Sequence, residues 1–389
     1  MKNIIENNHE MPVRILIVGN TSDEHLKRFD RYIKEVNKDK KIFIDAFDIN
    51  EKERGSLFNK TYHIKDYLSK MNFIKSARIH VFLKKINFLL SFSRVKKYDL
   101  INIHYLTYHS FILLPLYKIK AKKIMISPWG SDIYRIPNKK LKEKFRKVYD
   151  AADYVSVAFD IKFKEDIVKT FSVPQSKLVN LGFGSEIIDA LIEKEHINKH
   201  FAKKELDVEG TFIITCGYNR NIAHNHLAII DALIKIKNIL PGNTLLFFPM
   251  TYGPVDKEYL NKVRQKLVDN AFKFIIFEEF IQAERLTLIQ KACDLFIHVQ
   301  NSDANSATLQ EYLLCGTDII NGEWLKYPQF EKYGIPYMQS PSINELSSVL
   351  TQYFTSPKDI PVPEKLKEDI RRNSWSYKIK EWYNFYLSL

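Results

Sequence analysis

The stretch VRILIVGN, residues 13–20, decides the architecture. Val13, Ile15, Leu16, Ile17 and Val18 form an apolar run that stops at Gly19 and Asn20. Such a run reads as a strand buried on both faces, the habit of a parallel sheet. The spacing of apolar residues over 23–36 then predicts a helix. The same opening recurs at TFIITCGYN, residues 211–219, followed by a predicted helix over 226–239.

Working outward from the first opening, strands are expected at 41–49, 100–106, 123–130, 154–160 and 178–184. Helices are expected within 71–97, at 138–150 and at 161–171. The polar, helical stretch 185–210 reads as a linker. Beyond it, strands at 243–252, 273–279, 294–300 and 317–322 alternate with helices at 256–270, 283–292, 305–315 and 343–354. Strand–helix alternation predicts an α/β fold with two doubly wound halves. Two such halves facing across a cleft would hold ligands at the carboxyl ends of their strands. The expected division is 1–185, 186–370 and a last segment, 371–389, whose Trp- and Tyr-rich helix (374–389) docks back onto the first half.

The chain has 389 residues, enough for about two domains at roughly 150 residues each. Its 45% hydrophobic and 27% charged content excludes collagenous, disordered and disulfide-scaffold classes. Three scattered cysteines, Cys216, Cys293 and Cys315, make no zinc or CxxC pattern and suit a reducing compartment. Residues 1–11 are polar, without the apolar core of a signal peptide. The longest uncharged run, Leu100 to Tyr117, reads as strand, turn and helix rather than a membrane span.

The formal charge of +13 is uneven. Residues 60–147 hold 21 Lys and Arg against four acids, a net +17, leaving −4 elsewhere. That asymmetry points to a polyanionic partner. No RNP, KH or helix-turn-helix pattern accompanies it, so an anionic membrane is expected and nucleic acid is not. The segment 71–97 and the run 139–147 would supply the contact.

The most chemically informative stretch is VQNSDANSATLQEYLLCGTDIINGE, residues 299–323. A strand should end near Gln300 and a helix start near Asn305, with Asp303 at or just before the N-cap. Backbone N–H groups of Asn305, Ser306 and Ala307 would then favour a phosphate. Glu311, about two turns along, can accept both hydroxyls of a ribose. No Asp-x-Asp, GxxxxGK[ST] or GxGxxG pattern occurs, which argues against an NTPase or dehydrogenase. No third ligand has metal spacing with His224 and His226, so neither metal nor cofactor is expected.

This stretch resembles the Glu-x7-Glu signature of retaining GT-B glycosyltransferases, family 4 and relatives. Glu311-Tyr-Leu-Leu-Cys315-Gly316 is similar to the segment that follows the second acid there, and Asp303, a shorter carboxylate, stands at the first. Gly217, Asn219, Arg220 and His224 resemble the Gly-Arg…Lys-Gly segment that holds the donor diphosphate, with His224 at the Lys position. Trp129-Gly130-Ser131-Asp132 is similar to a His-Gly-Ser-Asp turn, with Trp replacing His. Pro249-Met250-Thr251-Tyr252 and Cys293-Asp294-Leu295 resemble the acetamido-dideoxygalactose transferases of enterobacterial common antigen assembly.

The resemblance implies a GT-B enzyme that moves a sugar from a nucleotide diphosphosugar, with retention, to a glycan or lipid-linked acceptor. It implies Asp303 and His104 as catalytic residues. Glu311, Arg220, His224, Asn305, Ser306, Ala307, Gly217 and Asn219 would bind the donor, and Trp129, Asp132 and Asn20 would face the acceptor. Such an enzyme would be cytoplasmic and peripheral on the inner face of the cell membrane. A sugar-nucleotide epimerase or a non-catalytic scaffold on the same fold is the alternative, and a nucleic-acid-binding protein, from the basic region, the remote one.

Overall fold

The computed structural model describes residues 11–50, 55–65, 77–157, 161–303, 306–356 and 360–389. The chain divides into two compact units. The first comprises residues 1–183 and 376–389, the second residues 184–375.

The first unit contains β1 (Val13–Gly19), β2 (Ile42–Asp48), β3 (Lys60–His63), β4 (Tyr98–His104), β5 (Ala121–Ser127), β6 (Tyr154–Val157) and β7 (Leu178–Asn180). They form one parallel sheet in the order β3-β2-β1-β4-β5-β6-β7. Central strands are buried on both faces, with Ile15, Leu16, Ile17, Ile101 and Ile126 in the core. The expected first helix runs Glu24–Val36, and the Asp23 side chain caps it by accepting from the His25 N–H. Gly19 lets this helix close on the sheet, since a Cβ there would lie 2.8 Å from Leu26 Cδ1. The apolar run after Asp99 folds as β4 and the helix Tyr108–Lys120, and no described helix is long and apolar enough to cross a membrane.

The helix Trp375–Leu387 carries the expected docking face. Trp382 donates from Nε1 to the Gly182 carbonyl at 3.0 Å. Asn102, on β4, donates to the Tyr386 hydroxyl at 2.9 Å. These bonds satisfy polar tips of rings that are otherwise buried in the first unit.

The second unit contains β8 (Phe212–Cys216), β9 (Thr244–Pro249), β10 (Lys273–Phe277), β11 (Leu295–His298), β12 (Asp318–Gly322) and β13 (Met338–Ser340). Its parallel order is β10-β9-β8-β11-β12-β13. The stretch 185–210, expected as a linker, instead forms the helices Glu186–Glu193 and Lys199–Glu205 of this unit. Ile188, Leu191 and Ala202 bury an apolar stripe there, which a free linker would leave in water. Two strands were not expected, β3 and β13, and both are short sheet edges.

Candidate functional site

In each unit the strand order reverses once, between β1 and β4 in the first and between β8 and β11 in the second. Chain leaving the two strands at such a point turns in opposite directions and opens a crevice at their carboxyl ends. Most of the candidate residues lie at these two reversals.

At the second unit's reversal, Gly217 follows β8 with φ +65°, and a Cβ there would meet His226 Nε2 at 3.0 Å. Only glycine takes that turn without strain. The loops after β8 and β11 are tied together. Asn301 donates from its backbone N–H to the Ala223 carbonyl at 2.9 Å, and Asn225 donates from Nδ2 to the Val299 carbonyl at 2.7 Å. Asn219 accepts the Asn221 N–H on its side-chain oxygen at 2.8 Å, which shapes the start of the loop.

Asp303 sits in the turn after β11. It accepts from the Tyr327 hydroxyl at 3.0 Å, and the same oxygen is 3.8 Å from His298 Nε2. It is not the helix cap. The helix runs Ala307–Cys315, and Ser306 is its N-cap, its Oγ accepting from the Leu309 N–H at 3.1 Å. The helix therefore starts two residues later than expected from Asn305, because the hydroxyl of Ser306 does the capping. Asn305 itself lies outside the described residues. Ala307 is the first residue of the helix, so its N–H belongs to the end that favours anions.

His298 and Asn321 close this site from below. They are register partners at the ends of β11 and β12, and His298 Nδ1 lies 2.8 Å from Asn321 Oδ1. Asn321 donates its amide hydrogens to the carbonyls of Gly322 and Leu325, which orients Oδ1 toward the ring. His298 therefore carries its proton on Nδ1 and presents Nε2 to Gln300 Nε2 at 3.4 Å and to Asp303. Burial lowers the pKa of this imidazole. Sequence reasoning missed His298, Asn321 and Tyr327. The available signal was a polar residue ending an otherwise apolar strand, LFIH and DIING.

Glu311 is 5% exposed, on the side of its helix facing the two helices Glu186–Glu193 and Ala283–Ala292. Ser185 donates to one carboxylate oxygen at 3.2 Å and Gln290 to the other at 2.7 Å. Burial pushes its pKa up to about 7, against the pull of these two donors. It is not a solvated helix acid. His224 is also buried, and burial with two neighbouring histidines lowers its pKa to about 3. It is a neutral ring at the position resembling the Lys, and the fixed charge was expected of Arg220. Arg220 is half-buried and donates from Nη2 to the Thr251 and Glu278 carbonyls. Its cationic head is thus held at the carboxyl ends of β9 and β10.

At the first unit's reversal, Asn20 follows β1 and accepts from the Ser22 N–H and from Asn50 Nδ2, each at 3.1 Å. His104 ends β4 and is fully buried among Phe29, Trp129, Phe183 and Trp382. Neither ring nitrogen has a partner. Burial, and then the neighbouring His25, lower its pKa to about 3. The substrate contact expected of His104 is not open in this structure, because the aromatic rings cover it. Trp129 is half-buried at the end of β5, with its indole N–H also unpartnered. Asp132 was expected to face an acceptor. Instead its carboxylate accepts the backbone N–H groups of Leu106, Trp129 and Gly130 at 2.9, 2.9 and 3.0 Å, latching the loops after β4 and β5. Burial raises its pKa against those three bonds.

Cys216 and Cys293 are buried, and burial holds the thiols of all three cysteines in the protonated form, Cys293 and Cys315 at about 12. Among the described residues no three His, Cys, Asp or Glu side chains group as a metal set.

No protein-family model matches the chain, and no curated protein sequence matches it. Solved structures do. A glycosyltransferase from Rickettsia africae ESF-5 is 14% identical with a TM-score of 0.62, covering 97% of this chain and 98% of the other. Anabaena Alr3699/HepE in complex with UDP and glucose is 13% identical with a TM-score of 0.59, covering 97% and 99%. The E. coli trehalose-6-phosphate protein bound with UDP-2-fluoro glucose is 12% identical with a TM-score of 0.61, again over 97% and 99%. The likeness spans both units, and the fold is GT-B.

Proposed function

We propose that this protein is a glycosyltransferase that moves a sugar from a nucleotide diphosphosugar, with retention, to a cell-surface glycan precursor carried on a lipid. The carrying observation is the strand–turn–helix after β11, where Asp303 is oriented by Tyr327 and Glu311 lies on the following helix. The fold adds support, since structures similar to this one hold UDP with glucose or UDP-2-fluoro glucose.

In this reading the second unit binds the donor. The amino end of the Ala307–Cys315 helix and the Arg220 guanidinium stabilise the departing diphosphate as its charge develops. Gly217 makes the left-handed turn that shapes this loop, and Asn219, Ser306 and neutral His224 supply hydrogen bonds rather than charge. Glu311 accepts the ribose hydroxyls on lone pairs left over from Ser185 and Gln290. Asp303 bonds a hydroxyl of the transferred sugar or faces the positive charge at the anomeric carbon. Much of the acceleration then comes from positioning, and no metal ion is required. In the first unit, Trp129 and Asn20 meet the acceptor, Asp132 holds their loops, and His104 supports the aromatic wall. The protein works in the cytoplasm at the inner face of the membrane.

Thermal-shift titration with UDP, TDP, GDP, ADP and CMP tests the donor site directly. A ligand at about 100 times its Kd stabilises by roughly 2.7 kcal/mol. One nucleoside diphosphate should do so, and its sugar derivative should be consumed in EDTA when acceptor is present. Stabilisation by none of them overturns the reading. Consumption without acceptor marks an epimerase instead.

A further inference from the structure

The feet of β1, β4 and β5 lie at the opposite end of the first unit's sheet from Gly19 and His104. There they line an open surface pocket of about 340 Å³. Arg14, Lys97, Lys120 and Lys122 line it, against one acid, Asp99. Asp99 is already engaged, with one oxygen 2.7 Å from Lys122 Nζ and the other accepting the Arg14 N–H at 2.8 Å. The Arg14 guanidinium lies over the Tyr98 ring at 5.1 Å, and Lys97 is exposed. Lys120 donates to the carbonyls of Ser93 and Val95, which pins the pocket to the end of the Ala77–Ser93 helix.

That helix has two apolar faces. Phe88 and Phe92 are buried in the core of the unit. Ile79, Phe82 and Leu90 are exposed, Phe82 at 60%, and with half-buried Ile86 they recur at three- and four-residue spacing along the other side. Ile119, which lines the pocket, is 63% exposed. An apolar stripe beside clustered cations is costly in water and matches a bilayer interface, where rings enter the acyl boundary and cations meet phosphates. From 77 to 147 the chain holds 17 Lys and Arg against three acids, so the chain that supplies this face is strongly basic. The run 139–147, expected to share this contact, buries the apolar side of its own helix, Phe145 and Val148, and so brings charge alone.

We propose that this face docks on an anionic phospholipid bilayer, with a headgroup phosphate in the Arg14–Lys97–Lys120–Lys122 pocket and the Ile79–Phe82–Leu90 stripe entering the interface. The proposal rests on the membrane location given under the proposed function, and vesicle binding is read separately from nucleotide binding by the second unit.

The test uses the full chain with vesicles of phosphatidylcholine alone or with about a third phosphatidylglycerol. Binding to the anionic vesicles should exceed that to neutral ones at least tenfold at about 0.1 M salt, and about 0.5 M salt should release it. Lys97→Glu should weaken binding about fivefold or more, from loss of a surface cation. Phe82→Ser with Leu90→Ser should weaken it about tenfold, from lost apolar burial. These side chains are exposed, so the variants should fold, which circular dichroism checks. Phe82→Trp should gain fluorescence quenching by brominated lipid only in anionic vesicles. Equal binding to both vesicle types, or binding unchanged by both sets of substitutions, overturns the proposal. So does stabilisation by inorganic phosphate, or binding to an RNA oligomer, in a protein that ignores vesicles.

Discussion

His104 and His298 hold equivalent places. Each ends the strand that lies just across the reversal of its sheet, β4 in the first unit and β11 in the second. Their surroundings are opposite. His104 is packed among aromatic rings and neither nitrogen has a partner. His298 bonds Asn321 through Nδ1 and accepts from Gln300 on Nε2, with the Asp303 carboxylate 3.8 Å away. One topology therefore supports a crevice walled by aromatic rings in one unit and one lined by hydrogen-bonded polar side chains in the other. The second kind can grip hydroxyls and phosphates, and the first offers ring faces.

The largest effect expected from this contrast is on the acid. Asp303→Asn should lower kcat by roughly 10²- to 10³-fold, the scale of losing one group that stabilises transition-state charge, with little change in donor KM. Because Ser306 caps the helix, the variant should melt like the parent. Near-full kcat would leave the second crevice without its special feature.

Glu311 comes next, through pH. Its folded pKa of about 7 lies above the ordinary 4.5, so the folded state holds the proton more tightly. The stabilisation is complete below pH 4.5 and is lost as pH rises through 7. Relative to Glu311→Gln, the parent should be equally stable near pH 4 and weaker by about 3 kcal/mol above pH 8. Urea unfolding at both pH values checks the sign, and a pH-independent difference would contradict it.

The two histidines then give the direct comparison. His298→Phe should cost about 1–3 kcal/mol, because Asn321 Oδ1 loses its donor in a buried site. His104→Phe, the smallest effect, should be neutral or stabilising by up to about 1 kcal/mol, since it removes two unpaired buried nitrogens. Equal costs at the two positions would break the contrast.

Much of this molecule is legible in order along the chain. Central strands such as β1 and β4 announce themselves because burial on both faces demands continuous apolar residues. The edges β3 (KTYH) and β13 (MQS) do not, because an edge strand needs only a partner's backbone to form. Asp303 and Glu311 were legible as an acidic pair on a strand–turn–helix, while the N-cap was misassigned among neighbouring polar residues. The charged run 139–147 was read as a membrane contact, but periodicity could not tell which apolar stripe, its own or that of the Ala77–Ser93 helix, would be left uncovered.

The sequence by itself determined the alternation of strands and helices, the two halves and the acidic pair, because these depend on local periodicity and spacing. Only the tertiary structure decided that His298 meets Asn321, since 23 residues separate them and strand register alone makes them neighbours. It also decided the protonation preferences. Glu311 at about 7, and His104 and His224 at about 3, follow from burial by segments far along the chain. Desolvation is a property of the assembled neighbourhood, and no local pattern of residues encodes it.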